Sequence, residues 1–147
     1  MGYLDKVSLA TYTRGEDWMN SISHMVGGGL CFIGLGFCIY KAIVMRSWSI
    51  GLIGALYCLC MLAMYSCSAT YHALRPNNGK KVMRMVDHSM IFLAIAGTMT
   101  PYCVFVLIPL KAWVGWMMLG IGWGAVCVGI PLTMTLFEKT KALQMVL

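Results

Sequence analysis

Charge is scarce in this chain: 11% of its 147 residues are charged and five are acidic, against an apolar share of 60%. Soluble domains carry about 25% charged residues and an apolar share nearer half. With a mean hydropathy of +0.77, an ordinary soluble domain is excluded. Metal-type C-x-x-C spacing is also missing among the seven cysteines. Cys31, Cys38, Cys58, Cys60 and Cys103 lie inside apolar runs and, with Cys67 and Cys127, read as small hydrophobes in lipid or helix contacts. The net charge is +6, but the basic residues fall between apolar segments and form no strip with interleaved aromatics, so a nucleic-acid partner is not expected. Residues 1–17 contain no short apolar core of a cleavable secretory signal, and Lys6 stands where an N-myristoylation motif wants Ser or Thr. Few polar residues fall at mid-depth of the apolar runs, which argues against the lining of a channel.

What remains is a set of long apolar stretches, several exceeding the about 18 residues that suggest a membrane span. They predict an all-α polytopic transmembrane helix bundle: an arm over 1–17, spans over 18–40, 49–72, 85–107 and 113–137, and the start of a fifth over 142–147. Trp18 opens the first span as an interfacial anchor. Glu16 and Asp17 suit a helix start through the macrodipole, with a separate cation site as their other use. Gly27, Gly28 and Gly29 allow close helix approach, or alternatively flexing. In the second connection, Arg75, Pro76, Asn77, Asn78 and Gly79 are turn signals, and Lys80, Lys81 and Arg84 make it the most basic loop. Pro101 predicts a kink, with Thr98 and Thr100 at hand for the freed carbonyls. Gly120 and Gly124 form a G-x-x-x-G face, residues 138–141 read as a loop, and an ending inside an apolar run reads as a fragment. Counting Lys and Arg by segment puts eight on the side of the N-terminus and three on the other. The positive-inside rule therefore expects a cytoplasmic N-terminus.

The chemistry concentrates around the second connection. Ser68 and His72 stand at i and i+4 on one helix face, and Asp87 lies across the basic loop. Ionisable groups at the edge of spanning segments are costly and mark functional sites by default. Imidazole and carboxylate suit zinc, which makes His72 and Asp87 the candidate metal ligands. Asp87 is also the candidate general base, and the Ser68 hydroxyl can hold a ligand or an oxyanion. Each alone has an ordinary use: His72 as an interfacial residue, Asp87 as a helix cap, Ser68 in a helix–helix hydrogen bond. His24 and Asn20 fall at the same depth as possible partners of a ligand. His88 points about 100° away from Asp87 on a helix and is the weaker of the two adjacent candidates.

The motifs N-x-x-S-H at residues 20–24, S-x-x-x-H at 68–72 and D-H-S-M-I-F-L-A-I-A-G-T-M-T-P at 87–101 resemble the hemolysin III family. That family belongs with the progestin and adiponectin receptors and, more remotely, the alkaline ceramidases. The resemblance covers residues 17–137 and implies a seven-helix bundle with the N-terminus inside. It also implies zinc held by the serine and histidine ending the second helix, the aspartate opening the third, and an H-x-x-x-H pair on the seventh. The first three map onto Ser68, His72 and Asp87; no H-x-x-x-H occurs here, so the zinc site is incomplete and truncation is expected. The implied function is a zinc-dependent lipid amide or ester hydrolase of a bacterial plasma membrane, with membrane lipids as partners, active at full length and inactive in this form. The alternatives are a membrane-perturbing, pore-forming hemolysin and a receptor-like regulator of lipid composition without turnover.

Overall fold

Thr13 fixes where the first long helix begins. Its hydroxyl accepts from the Glu16 amide (3.3 Å) while the Glu16 carboxylate accepts from the Thr13 amide (2.7 Å), a reciprocal cap that satisfies two donors otherwise orphaned at a helix start. In the computed structural model, which describes residues 2–144 except the side chains of 138 and 140–144, this helix runs over Arg14–Val44. It is α2; a single turn, α1, precedes it at Tyr3–Lys6. Arg46, at φ 48°, turns the chain back into α3, Trp48–Ala73. Pro76 holds the preceding residue out of the helical region and closes α3. The Asn77 side chain then caps α4, Asn78–Tyr102, by accepting from the Lys80 amide at 2.8 Å.

The third long helix thus begins at Asn78, seven residues earlier than the expected span over 85–107, and Lys80, Lys81 and Arg84 stand on it instead of in a loop. Asp87 lies well inside α4, which removes its reading as a helix cap. Beyond Pro101 the helix widens into a π-helical turn, Cys103–Leu107, followed by α5, Ile108–Leu110. The carbonyl freed by Pro101 is that of Gly97, four residues back. Thr98 and Thr100 do not serve it: their hydroxyls donate to the carbonyls of Ala94 (2.8 Å) and Ala96 (2.7 Å). Thr100 also accepts from the Trp123 indole N–H at 3.1 Å, giving that half-buried donor a partner.

The last helix, α6, runs over Ala112–Gln144 and bends at Leu136 (φ −126°, ψ 34°), so helix continues through residues 138–141, where a loop was expected. Of the expected fifth span over 142–147, residues 142–144 continue α6 and 145–147 lie outside the described residues.

Successive long helices pack on one another, α2 on α3, α3 on α4 and α4 on α6. Four segments, Arg14–Val44, Trp48–Ala73, Asn78–Leu110 and Ala112–Phe137, are long and apolar enough to cross a membrane among the described residues. The outward face is the apolar one: Met19, Ile33, Trp48, Leu110 and Trp116 are exposed, while Ser21, Ser68, His72, Lys80, Arg84 and Ser89 are buried. A soluble monomer does not leave apolar patches of that extent in water, whereas lipid covers them at no cost. The fold is an all-α polytopic bundle.

Small residues set the helix spacing. A Cβ on Gly27 would lie 2.9 Å from the Tyr65 ring, one on Gly97 would lie 2.5 Å from the Cys60 Cβ, and one on Gly129 would lie 2.7 Å from the Phe92 ring. Among the described residues, the expected G-x-x-x-G face at Gly120 and Gly124 meets no other helix: a Cβ at either position would have nothing within 4 Å. Gly97→Leu is therefore expected to force α3 and α4 apart and cost about 1–3 kcal/mol, lowering the thermal midpoint in detergent. Gly120→Ala, facing open space, is expected to leave that midpoint unchanged.

Candidate functional site at the basic end of the bundle

Helix α2 has 31 residues, about 46 Å at 1.5 Å per residue, against about 30 Å of hydrocarbon. Its surplus carries the first turns to the membrane surface, and the up-and-down packing sets them beside the end of α3 and the start of α4. Asp17 on α2 joins all three helices there. The Nδ1–H of His72 donates to Asp17 Oδ1 at 2.9 Å, and Lys80 Nζ donates to Asp17 Oδ2 at 2.6 Å. His72 and Lys80 are buried at 8% and 3% exposure. A buried ammonium is stable only when paired, so Asp17 answers Lys80 and fixes His72 with its two oxygens. An ionised carboxylate can only accept, so His72 carries a proton on Nδ1, and in the neutral imidazole Nε2 is the nitrogen left with a lone pair.

Aromatic rings enclose the imidazole. His24 stacks over His72 at 6.1 Å between centroids with 13° between planes, Tyr12 stands at 5.4 Å and Tyr71 at 4.7 Å. Lys80 Nζ also sits 5.3 Å from the centre of the Tyr71 ring, a cation–π contact that adds to its pairing with Asp17. Ser68 is buried one turn before His72 on α3, and nearby Ser21 ties α2 to α3 by donating to the Ala69 carbonyl at 3.0 Å.

Asp87 is half-buried on α4 and acts electrostatically on His24, Cys67 and Tyr71, which places it on the same side of the bundle. The carboxylate on His72 Nδ1 is that of Asp17. His88 lies beside Asp87, with Nδ1 4.0 Å from Asp87 Oδ2; that nitrogen donates to the Arg84 carbonyl at 2.9 Å and the ring meets Phe137 of α6 edge-on at 5.2 Å. Asn20 is half-buried one turn after Asp17, with its backbone carbonyl accepting from Ser23 at 2.9 Å. Sequence reasoning missed Asp17 and Lys80 as members of the cluster. The signal was present in α2, where Asp17, Asn20, Ser21 and His24 follow the i, i+3, i+4, i+7 spacing of one helical face.

The N-terminal arm closes this end. Val7 packs against Met85 and Phe137 in a small apolar core. Lys81 Nζ donates to the Leu4 carbonyl (2.8 Å), the Arg84 guanidinium donates to the Ser8 carbonyl, and the Phe137 amide donates to the Tyr3 hydroxyl (3.2 Å).

Among the described residues no three His, Cys, Asp or Glu side chains gather as a set able to hold a metal ion. Among the described residues, His72 commits one ring nitrogen to the Asp17 carboxylate and makes no hydrogen bond through the other.

Four membrane-spanning helices and a buried polar cluster at one end define an integral membrane protein of the helical-bundle class. The family model described as Haemolysin-III related matches residues 12–147, and the chain belongs to that family. It is 33% identical over 120 residues to the hemolysin-3 homolog of Bacillus subtilis (strain 168), covering 81% of this chain and 54% of that protein. It is 32% identical over 126 residues to hemolysin-3 of Bacillus cereus, covering 86% and 56% respectively. The chain spans about half the length of these curated relatives. No solved structure matches it.

Proposed function

We propose that this protein carries part of the catalytic site of a zinc-dependent hydrolase acting on an amide or ester bond of a membrane lipid. The observation that carries the reading is the buried His72 imidazole, held through Nδ1 by Asp17 so that Nε2 is presented as a ligand. In this reading His72 and Asp87 hold the metal, and its remaining donors come from outside the described residues. Bound zinc polarises a carbonyl and brings the pKa of a coordinated water to about 7. Asp17 keeps the His72 tautomer and ring orientation, Asp87 accepts a proton from water, and the Ser68 hydroxyl donates to the developing oxyanion. His24 and Asn20 line the same side of α2 and steady the cluster, whereas His88 serves the packing of α4 on α6. Lys and Arg favour the N-terminal side eight to three, which supports a cytoplasmic N-terminus in a bacterial plasma membrane and a site open to the inner leaflet.

The test is release of fatty acid from reconstituted lipid by the full-length protein, with and without a zinc chelator. Release that stops on chelation and returns with added zinc is expected; release indifferent to chelation would reject the metal. The relatives' name, hemolysin-3, favours a second reading, membrane permeabilisation. Liposome dye release separates the two: leakage unchanged in His72→Ala and Asp87→Ala supports permeabilisation and leaves the hydrolase reading without a role for its site.

A further inference from the structure

Beside the Asp17–His72 pair lies a recess of about 200 Å³, lined by Arg14, Asp17, Trp18, His72, Arg75 and Pro76 among others. The Asp17 carboxylate is already matched by Lys80 and His72. Among the described residues, neither Arg14 nor Arg75 has a carboxylate within ion-pair distance, so the recess carries two unanswered guanidinium charges. Each is a planar fork of donors shaped for a phosphate or carboxylate. Trp18 is 64% exposed at the same level, and tryptophans so placed lie at the depth of lipid headgroups. The volume falls below the roughly 300–1,000 Å³ of pockets that enclose a whole small molecule. It suits a headgroup whose acyl chains remain in the bilayer.

We propose that this recess binds the phosphate of an anionic membrane lipid, with Arg14 and Arg75 pairing to its oxygens and the chains left in the bilayer. A phosphate held there brings the ester region of the lipid beside His72. Anionic phospholipids then become the substrate class of the site, a step that rests on the hydrolase reading, whereas the binding itself does not.

Calorimetric titration of the purified protein in neutral micelles tests this, using short-chain phosphatidic acid, diacylglycerol of the same chain length, and inorganic phosphate. Phosphatidic acid is expected to bind most tightly, and Arg14→Gln with Arg75→Gln to weaken it by about tenfold or more. The Arg14→Lys, Arg75→Lys pair keeps both charges but not the fork, and is expected to bind between the unaltered protein and the Gln pair. Equal binding of diacylglycerol and phosphatidic acid to the unaltered protein, or unchanged binding in the Gln pair, overturns the proposal. Inorganic phosphate binding as tightly as the lipid overturns the lipid as its source. Phosphatidic acid bound but never hydrolysed counts against the hydrolase alone, and hydrolysis of neutral lipid without this binding preference counts against the recess alone.

Discussion

In the full-length protein, replacing His72 by alanine is expected to reduce lipid hydrolysis by more than about a hundredfold while leaving the helices in place. Loss of a carboxylate that only orients a metal-bound histidine costs roughly 10- to 100-fold in metal affinity or activity, and removing the imidazole goes beyond that range. Asp17→Asn, made together with Lys80→Met so that no buried ammonium is stranded, isolates the orienting role of the carboxylate. The Asp17→Asn change keeps the size of the side chain and an oxygen able to accept from Nδ1–H of His72, but removes the charge that fixes the tautomer, so its effect is expected inside the 10- to 100-fold range. Initial rates on reconstituted lipid, read beside circular dichroism, check both variants. A His72→Ala protein with full turnover would show that the imidazole is only a packing element between His24, Tyr12 and Tyr71.

The second large effect is on stability. Asp17→Ala leaves the Lys80 ammonium, whose side chain is 4% exposed, without a counter-charge. Removing one partner of a buried pair costs about 3–5 kcal/mol, and the 20% exposure of Asp17 puts the expectation near the lower end. Lys80→Met is expected to cost less, because Asp17 keeps His72 and some contact with water. Combining Asp17→Ala with Lys80→Met removes the stranded charge and is expected to recover much of the loss. Thermal midpoints of the three variants in the same detergent provide the check, since strictly additive losses would mean that Asp17 and Lys80 are not coupled.

The four spans were legible because apolar runs of that length have few other uses; Ser68, His72 and Asp87, flanking one connection, pointed to the bundle end where His72 is buried beside Asp17 and Lys80. Helix ends were harder to read. The sequence at residues 77–79 looks like a turn, yet the Asn77 side chain caps a helix that carries Lys80, Lys81 and Arg84 into the bundle end. Basic residues can stand on such a helix because its first turns project beyond the hydrocarbon. The Pro101 perturbation was expected, but a proline alone does not specify its form, a π-helical turn over Cys103–Leu107. Asp17 was hidden for a different reason. Its partners lie 55 and 63 residues away, and a helix-start acid looks the same in sequence whether or not other helices bring a histidine and a lysine to it.

Zinc content is the most direct measurement. Full-length protein purified without added metal is expected to carry about one zinc ion per chain, and His72→Ala prepared in parallel to carry none. Equal zinc in the two preparations, or none in the unaltered protein, would contradict a metal site built on His72.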